Sequence, residues 1–378
     1  MVVGRVFFGL GGEVVGVLGC EIITRWFQHK RLSLALAINL GLGRLGSVSN
    51  SILVPWLIEL YGVIAVTWIA TLLAIGVSTI GLISFLATSG PATEPDQIQL
   101  IPENPDKGLD NNKPLSQTAL LHHFPRIFWD LARVSLIDYA CLNTFTNSAQ
   151  RLLAIRFYNG DQPAAGAAVS ILFVLSGFLI SPLGFLLDAL PASGYPRALI
   201  TSNALLILAH GIFLTDSIST PIVPLCLIGT ADALLSVAFW GSVTRCLLHA
   251  THAETRASRG RETCLKDELV PLLREEMMDI TPPPSTEGGE DEEVGLREVP
   301  SMQGEAMRTL GIGIMTSLMN ISTAVVPAFL AVVENAAGFL GLEFVFLVLG
   351  VMGCVVCVRL AWTWELDCDG GGREEREI

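Results

Sequence analysis

Between Ile64 and Thr88 the chain carries no charged residue, and apolar runs of this kind recur along most of the sequence. A helix needs about 20 mainly apolar residues to cross roughly 30 Å of hydrocarbon, and in lipid it satisfies its own backbone N–H and C=O groups. A closed barrel does so too, but its strands alternate in polarity, and these runs are continuous. Composition agrees: 51% of the 378 residues are hydrophobic and 16% are charged, the inverse of the balance that keeps a soluble domain in water. The expected fold class is all-α, a multi-pass membrane protein with the lipid bilayer as its solvent.

Length and periodicity predict helices at Val3 to Ile23, Ser33 to Leu60, Ile64 to Thr88, Leu131 to Leu153, Ala165 to Leu187, Arg197 to Thr215, Ile222 to Leu248, Met307 to Val333 and Leu340 to Trp362, about nine in all. The connections alternate in charge. Arg25, His29, Lys30 and Arg31 fill the first, Lys107, Lys113, Arg126 and Arg133 lie in or beside the third, and Arg197 is in the fifth. Arg245, Arg256, Arg259 and Arg261 flank or occupy the seventh, whereas the connections between these are short and nearly free of Lys and Arg. Positively charged connections stay on the cytosolic side, so the C-terminus is expected in the cytosol and Met1 on the far side.

An odd count of helices with an outside start leads to the expectation that three helices precede this chain in a parent of six plus six, an organisation typical of carriers. The predicted layout is then a remainder of an N-terminal bundle over residues 1–88 and a cytosolic central loop over 89–130. A C-terminal six-helix bundle follows over 131–363, and a cytosolic tail over 364–378. The net charge of -13 comes largely from an acidic segment inside the second bundle, residues 250–305. It holds Pro282-Pro283-Pro284 and Glu290-Asp291-Glu292-Glu293 and is too polar to bury a core, so it reads as a disordered insertion. That placement gives no reason to invoke nucleic acid. Within it, Glu268, Leu272 and Leu273 fit the acidic dileucine pattern that clathrin adaptors read as a sorting motif, which makes an adaptor a candidate partner.

No phosphate-binding Gly-Lys-Ser/Thr loop, metal-ligand cluster or nucleophile elbow occurs, so the sequence supports neither an ATP-driven pump nor a hydrolase, and no cofactor or metal is expected. The eight cysteines lack the spacing of a secreted disulfide framework, and Cys354 and Cys357 lie inside an apolar run, where packing explains them.

Charges inside the apolar runs carry the functional signal, because a charge near the bilayer centre costs at least about 2.5–3.5 kcal/mol and so faces a cavity or a partner. Glu13 lies about eleven residues before the first basic connection and Arg44 about eleven after it, which at about 1.5 Å per residue sets both roughly 16 Å deep from one face. Level with one another on adjacent antiparallel helices, they form either a structural ion pair or a site for a zwitterion. In the second case Arg44 binds a carboxylate in a bidentate manner and Glu13 an ammonium group. Asp138, Asn143, Asn147 and Gln150 form a polar stripe on one predicted helix, with Asp138 a candidate for a substrate amine or a proton. Asp232, Trp240 and Asn320 are isolated polar or amphipathic positions within later helices, and His210 in its apolar helix reads as a packed neutral histidine.

Several of these segments resemble a known family. Gly4-Arg5-Val6-Phe7-Phe8-Gly9-Leu10-Gly11-Gly12-Glu13, Trp26-Phe27 and Gly43-Arg44-Leu45-Gly46-Ser47-Val48-Ser49-Asn50 resemble the fourth and fifth helices of lysosomal peptide carriers of the major facilitator superfamily. Ser181-Pro182-Leu183-Gly184-Phe185-Leu186-Leu187-Asp188 resembles the end of the eighth helix in that family. Ala238-Phe239-Trp240 and Gly313-Ile314-Met315-Thr316-Ser317-Leu318-Met319-Asn320 are similar to its tenth and eleventh helices.

The resemblance implies a partial major facilitator fold with about nine of twelve helices, alternating access between two bundles, and uniport of dipeptides from lysosome to cytosol. It assigns Glu13 and Arg44 to the two ends of the peptide, and Asn50, Asp138, Trp240 and Asn320 complete the candidate substrate-binding set. It also implies a glycosylated accessory membrane protein as a partner. Two other readings fit the same residues. One is a proton-coupled carrier of organic anions, with Glu13 or Asp138 as the proton site; the other is a non-transporting membrane scaffold whose acidic loop binds adaptors.

Overall fold

The computed structural model describes residues 15–24, 26–27, 31–88, 121, 124–215, 219–276 and 302–374, of which 85, 88, 252–276, 302–305 and 366–374 by their backbone alone. Among the described residues the regular structure is entirely helical. In chain order the helices are α1 (Val15–Thr24), α2 (Leu32–Thr88), α3 (Arg126–Phe157), α4 (Gln162–Ala189), α5 (Gly194–Phe213), α6 (Ile222–Glu276) and α7 (Met302–Glu374).

Two of these are far longer than a bilayer is thick, α2 with 57 residues and α7 with 73. Each is broken by one glycine in a backbone conformation that a Cβ would hinder: Gly62 at φ 78°, ψ 162° and Gly338 at φ 64°, ψ -157°. The breaks fall where the sequence places connections, so both helices are pairs of membrane-length arms. Among the described residues five helices, α2, α4, α5, α6 and α7, contain stretches long and apolar enough to cross a membrane.

The remaining long helix, α3, carries too many polar residues for that set, yet it lies at the centre of the second bundle. Asp130 and Asp138 are each 1% exposed, and Phe128, Leu131 and Phe145 are buried beside them. Polar groups on a membrane helix turn toward protein rather than lipid, and α3 does so by packing along α7. Tyr195, Phe213, Phe239 and Phe346 from α5, α6 and α7 fill the rest of this core.

The first arm of α2 packs against α4 from Ser33 to Pro55. At Gly184 a Cβ would sit 2.6 Å from the Cβ of Ala37 and 2.9 Å from the carbonyl oxygen of Ser33, so the missing side chain sets how closely the two helices approach. The second arm is exposed instead: Trp68, Leu72, Val77 and Ile80 are each more than 60% accessible. In lipid such an apolar surface needs no protein cover.

Past the membrane the backbone of α6 continues as helix to Glu276. Glu268, Leu272 and Leu273 therefore lie on a helical backbone, and their side chains are outside the described residues, as are residues 277–301 of the acidic segment.

Candidate functional site

Arg44 is the residue around which the two halves meet. It stands about 18 Å along α2 from Leu32, and Asp232 about 15 Å along α6 from Ile222, on the basis of 1.5 Å per residue, so both lie at mid-depth. The Arg44 guanidinium donates from Nη2 to Asp232 Oδ1 at 2.7 Å and to Ser236 Oγ at 3.1 Å. Ser176 of α4 donates through Oγ to Asp232 Oδ2 at 2.7 Å, so both carboxylate oxygens are engaged. Gly177 makes room for this arrangement, since a Cβ there would lie 3.2 Å from that of Arg44.

The pair is unequally exposed, with side-chain accessibilities of 22% for Arg44 and 6% for Asp232. Nη1 and Nε of Arg44 make no hydrogen bond among the described residues. A guanidinium has five donors in a planar fork, so Arg44 can hold Asp232 with one corner and offer the rest to a second carboxylate or to water.

A second set of contacts ties the halves together at the end that bears the basic connections. Asp188, at the C-terminus of α4, accepts from the backbone N–H of Ser33 at 3.2 Å and of Leu34 at 3.0 Å. These amides belong to the first turn of α2, where helical N–H groups have no partner in their own helix and the dipole favours an anion. Ser33 Oγ and the Tyr195 hydroxyl are 2.5 Å apart, and Arg245 lies 4.5 Å over the Tyr195 ring and 3.5 Å from Asp188. At the same end of the helices Arg308 of α7 pairs with Glu21 of α1 at 2.7 Å.

Of the residues expected to bind substrate, Glu13 lies outside the described residues. Asn50 is exposed on α2, Trp240 is 7% exposed on α6, and Asn320 is half-buried on α7. Asp138 is directed into the second bundle, where Asn203 donates to it at 2.8 Å; the structure does not bring it to Arg44. From the polar stripe, Asn143 donates to Thr323 Oγ1 at 3.1 Å and Gln150 approaches Gln162, contacts between helices.

Sequence reasoning set Arg44 opposite Glu13 and gave Asp232 no role, although its depth was readable. It also gave no role to Asp188, which stood inside a quoted motif, and did not single out Glu343. His210 is fully buried and packed as expected, and its Nδ1 is 2.7 Å from Glu343 Oε2.

Long apolar helices that hide their polar faces, joined in mid-membrane by an arginine and an aspartate, define a multi-pass α-helical membrane protein. The chain belongs to the Major Facilitator Superfamily, whose sequence profile matches residues 1–258. Among its relatives are proteins named lysosomal dipeptide transporter MFSD1. The Bos taurus protein is 26% identical over 249 residues, 64% of this chain and 51% of that protein. The Homo sapiens protein is 26% identical over 246 residues, again 64% and 51%. The Gallus gallus protein is 25% identical over 249 residues, 64% of this chain and 54% of that protein. The chain thus spans about half the length of the curated relatives it matches.

Proposed function

We propose that this chain acts within a secondary carrier that moves dipeptides or similar zwitterions across a lysosomal membrane by alternating access, as a uniporter. The observation that carries the reading is Arg44, a guanidinium at mid-depth between the halves, held at one corner by Asp232 and with donors to spare. The substrate carboxylate takes those donors and competes with Asp232 for the same cation, while Glu13 receives the ammonium end. Cargo and compartment follow the names of the relatives.

The hydrogen bonds described between α1–α2 and the later helices lie at mid-depth and at the end with the basic connections. That distribution supports a conformation closed toward the cytosol, with the substrate entering from the lumen. An exchange of partners at Arg44 then loosens one of the ties that hold this conformation.

The test is uptake of a labelled dipeptide into proteoliposomes, comparing the unmodified carrier with Arg44→Ala and Glu13→Gln variants at equal abundance. Saturable uptake that survives a collapsed proton gradient and disappears in both variants is the expected result. Unchanged uptake in both variants overturns the zwitterion site, and uptake that stops when the gradient is collapsed overturns uniport.

A further inference from the structure

The aspartates inside the bundle differ in one respect. Asp130 is beside Arg133 and 3.4 Å from Arg359, Asp188 is 3.5 Å from Arg245, and Asp232 is 2.7 Å from Arg44. Asp138 is 1% exposed, and its described hydrogen-bond partners are Asn203 of α5 and Cys357 of α7, neither of them a cation.

The geometry around Asp138 is specific. Asn203 Nδ2 donates to Asp138 Oδ2 at 2.8 Å and to the Leu199 carbonyl oxygen at 3.2 Å. These two acceptors fix the amide orientation, because a flipped Asn203 would set its carbonyl oxygen against both. The other oxygen of each group, Asp138 Oδ1 and Asn203 Oδ1, is buried and without a hydrogen-bond partner. Both stand at one point: a Cβ on Gly353 of α7 would strike the two of them together.

Two unpartnered acceptors side by side in a dry interior repel each other, and a single proton converts that repulsion into a bond. We propose that Asp138 is a proton-binding site, a neutral carboxylic acid that donates from Oδ1 to Asn203 Oδ1. With the N–H bond to Oδ2 this closes a reciprocal ring of acid and amide. Every polar atom of the two groups is then satisfied, and no net charge is left in the membrane.

The surroundings favour a proton over a metal ion. The thiols of Cys357 and Cys354 face the site from α7, and Cys141 lies one turn further along α3. Of the titratable groups of α5, Tyr195 contacts Ser33 and Asp188, Arg197 lies 3.9 Å from Glu365, and His210 turns Nδ1 to Glu343 with Nε2 3.9 Å from the Cys141 thiol. Hard cations need several oxygen ligands, and Gly353 leaves no room for more. Loss of the proton at high pH would leave a buried carboxylate with one strong donor, so the tie between α3 and α5 is present at low pH and lost as pH rises.

The test is infrared spectroscopy of the full chain in nanodiscs at neutral pH, read in the carbonyl region of protonated carboxylic acids. The unmodified chain should show such a band, sensitive to deuterium exchange and missing from Asp138→Asn. That variant can form an amide–amide ring in the same place. An identical band region in the two proteins means that Asp138 is ionised, with or without a bound cation, and overturns the proposal. If Asp138→Asn does not fold, the unmodified chain grown with carbon-13 aspartate gives the answer. An isotope shift of the band supports the proton site, since the other buried aspartates are paired with arginine, and an unshifted region overturns it.

Discussion

Arg44 and Asp232 are 2.7 Å apart across 188 positions of sequence, and they join the first half of the fold to the second. If the substrate carboxylate competes with Asp232, then Asp232→Asn removes the competing charge and keeps an acceptor for Arg44. The KM for a labelled dipeptide should fall about tenfold, equivalent to about 1.4 kcal/mol, when measured as uptake into proteoliposomes. A KM that is unchanged or raised would sink the exchange of partners.

The same pair separates a ligand from a lock by charge reversal. Arg44→Asp alone sets two acids together at mid-depth and should cost about 3–5 kcal/mol of stability. Adding Asp232→Arg restores opposite charges, and the melting temperature should recover most of that loss through the coupling of the two sites. Uptake should stay absent, because the guanidinium now projects from α6 rather than α2. Recovery of both stability and uptake would reduce the pair to a lock.

Much of this fold was legible in the sequence because lipid leaves few choices. Apolar length gave the helices, and the connections predicted near Tyr61 and at 334–338 became the breaks at Gly62 and Gly338. The site was legible only by depth. Counting residues from a helix end tells how deep Arg44 lies but not which way it points, so a level partner on the next helix, Glu13, was the natural choice. Asp232 is at comparable depth on a helix far along the chain, and α2 comes within its reach by packing against α4 at small residues such as Gly177 and Gly184. Asp188 was hidden for a related reason. Near a helix end it resembles an ordinary solvated acid until another helix brings its free amides to it.

Asp188 itself yields a prediction. It acts as a cap supplied in trans to α2, and loss of a capping side chain costs about 1 kcal/mol. Asp188→Ala should therefore move the balance about fivefold toward the conformation open to the cytosol. Ala37 is fully buried against Gly184 in the closed state, so the readout is alkylation at Ala37→Cys by a water-soluble maleimide, above the background of the same chain without it. Equal rates with and without Asp188→Ala would mean that the cap does not hold the closed state.

At Gly353 two general effects oppose each other. Alanine in place of a helical glycine ordinarily gains up to about 1 kcal/mol, but here the added carbon would meet Asp138 and Asn203 together. Overpacking of that kind costs about 1–3 kcal/mol, so the net change for Gly353→Ala should be destabilising and visible as a lower melting temperature in detergent. Gly313, which a Cβ would leave without a contact within 4 Å, is the control: Gly313→Ala should be neutral or mildly stabilising.

His210 and Glu343 form the most deeply buried titratable pair among the described residues, each 0% exposed, with Nδ1 to Oε2 at 2.7 Å. Phe346 stacks on the imidazole at 5.1 Å and Phe145 meets it edge-on at 5.2 Å, so neither polar group has water as an alternative partner. Removing one member should then do more harm than removing both. His210→Ala strands the Glu343 carboxyl in an aromatic pocket and should cost about 3–5 kcal/mol. Replacing both by leucine removes the need for a hydrogen bond and approaches neutrality. Thermal melts of the two single variants and the double variant decide the matter. A double variant as unstable as His210→Ala would show that the shape of the pair, and not the satisfaction of its polar atoms, holds α5 to α7 at this end of the bundle.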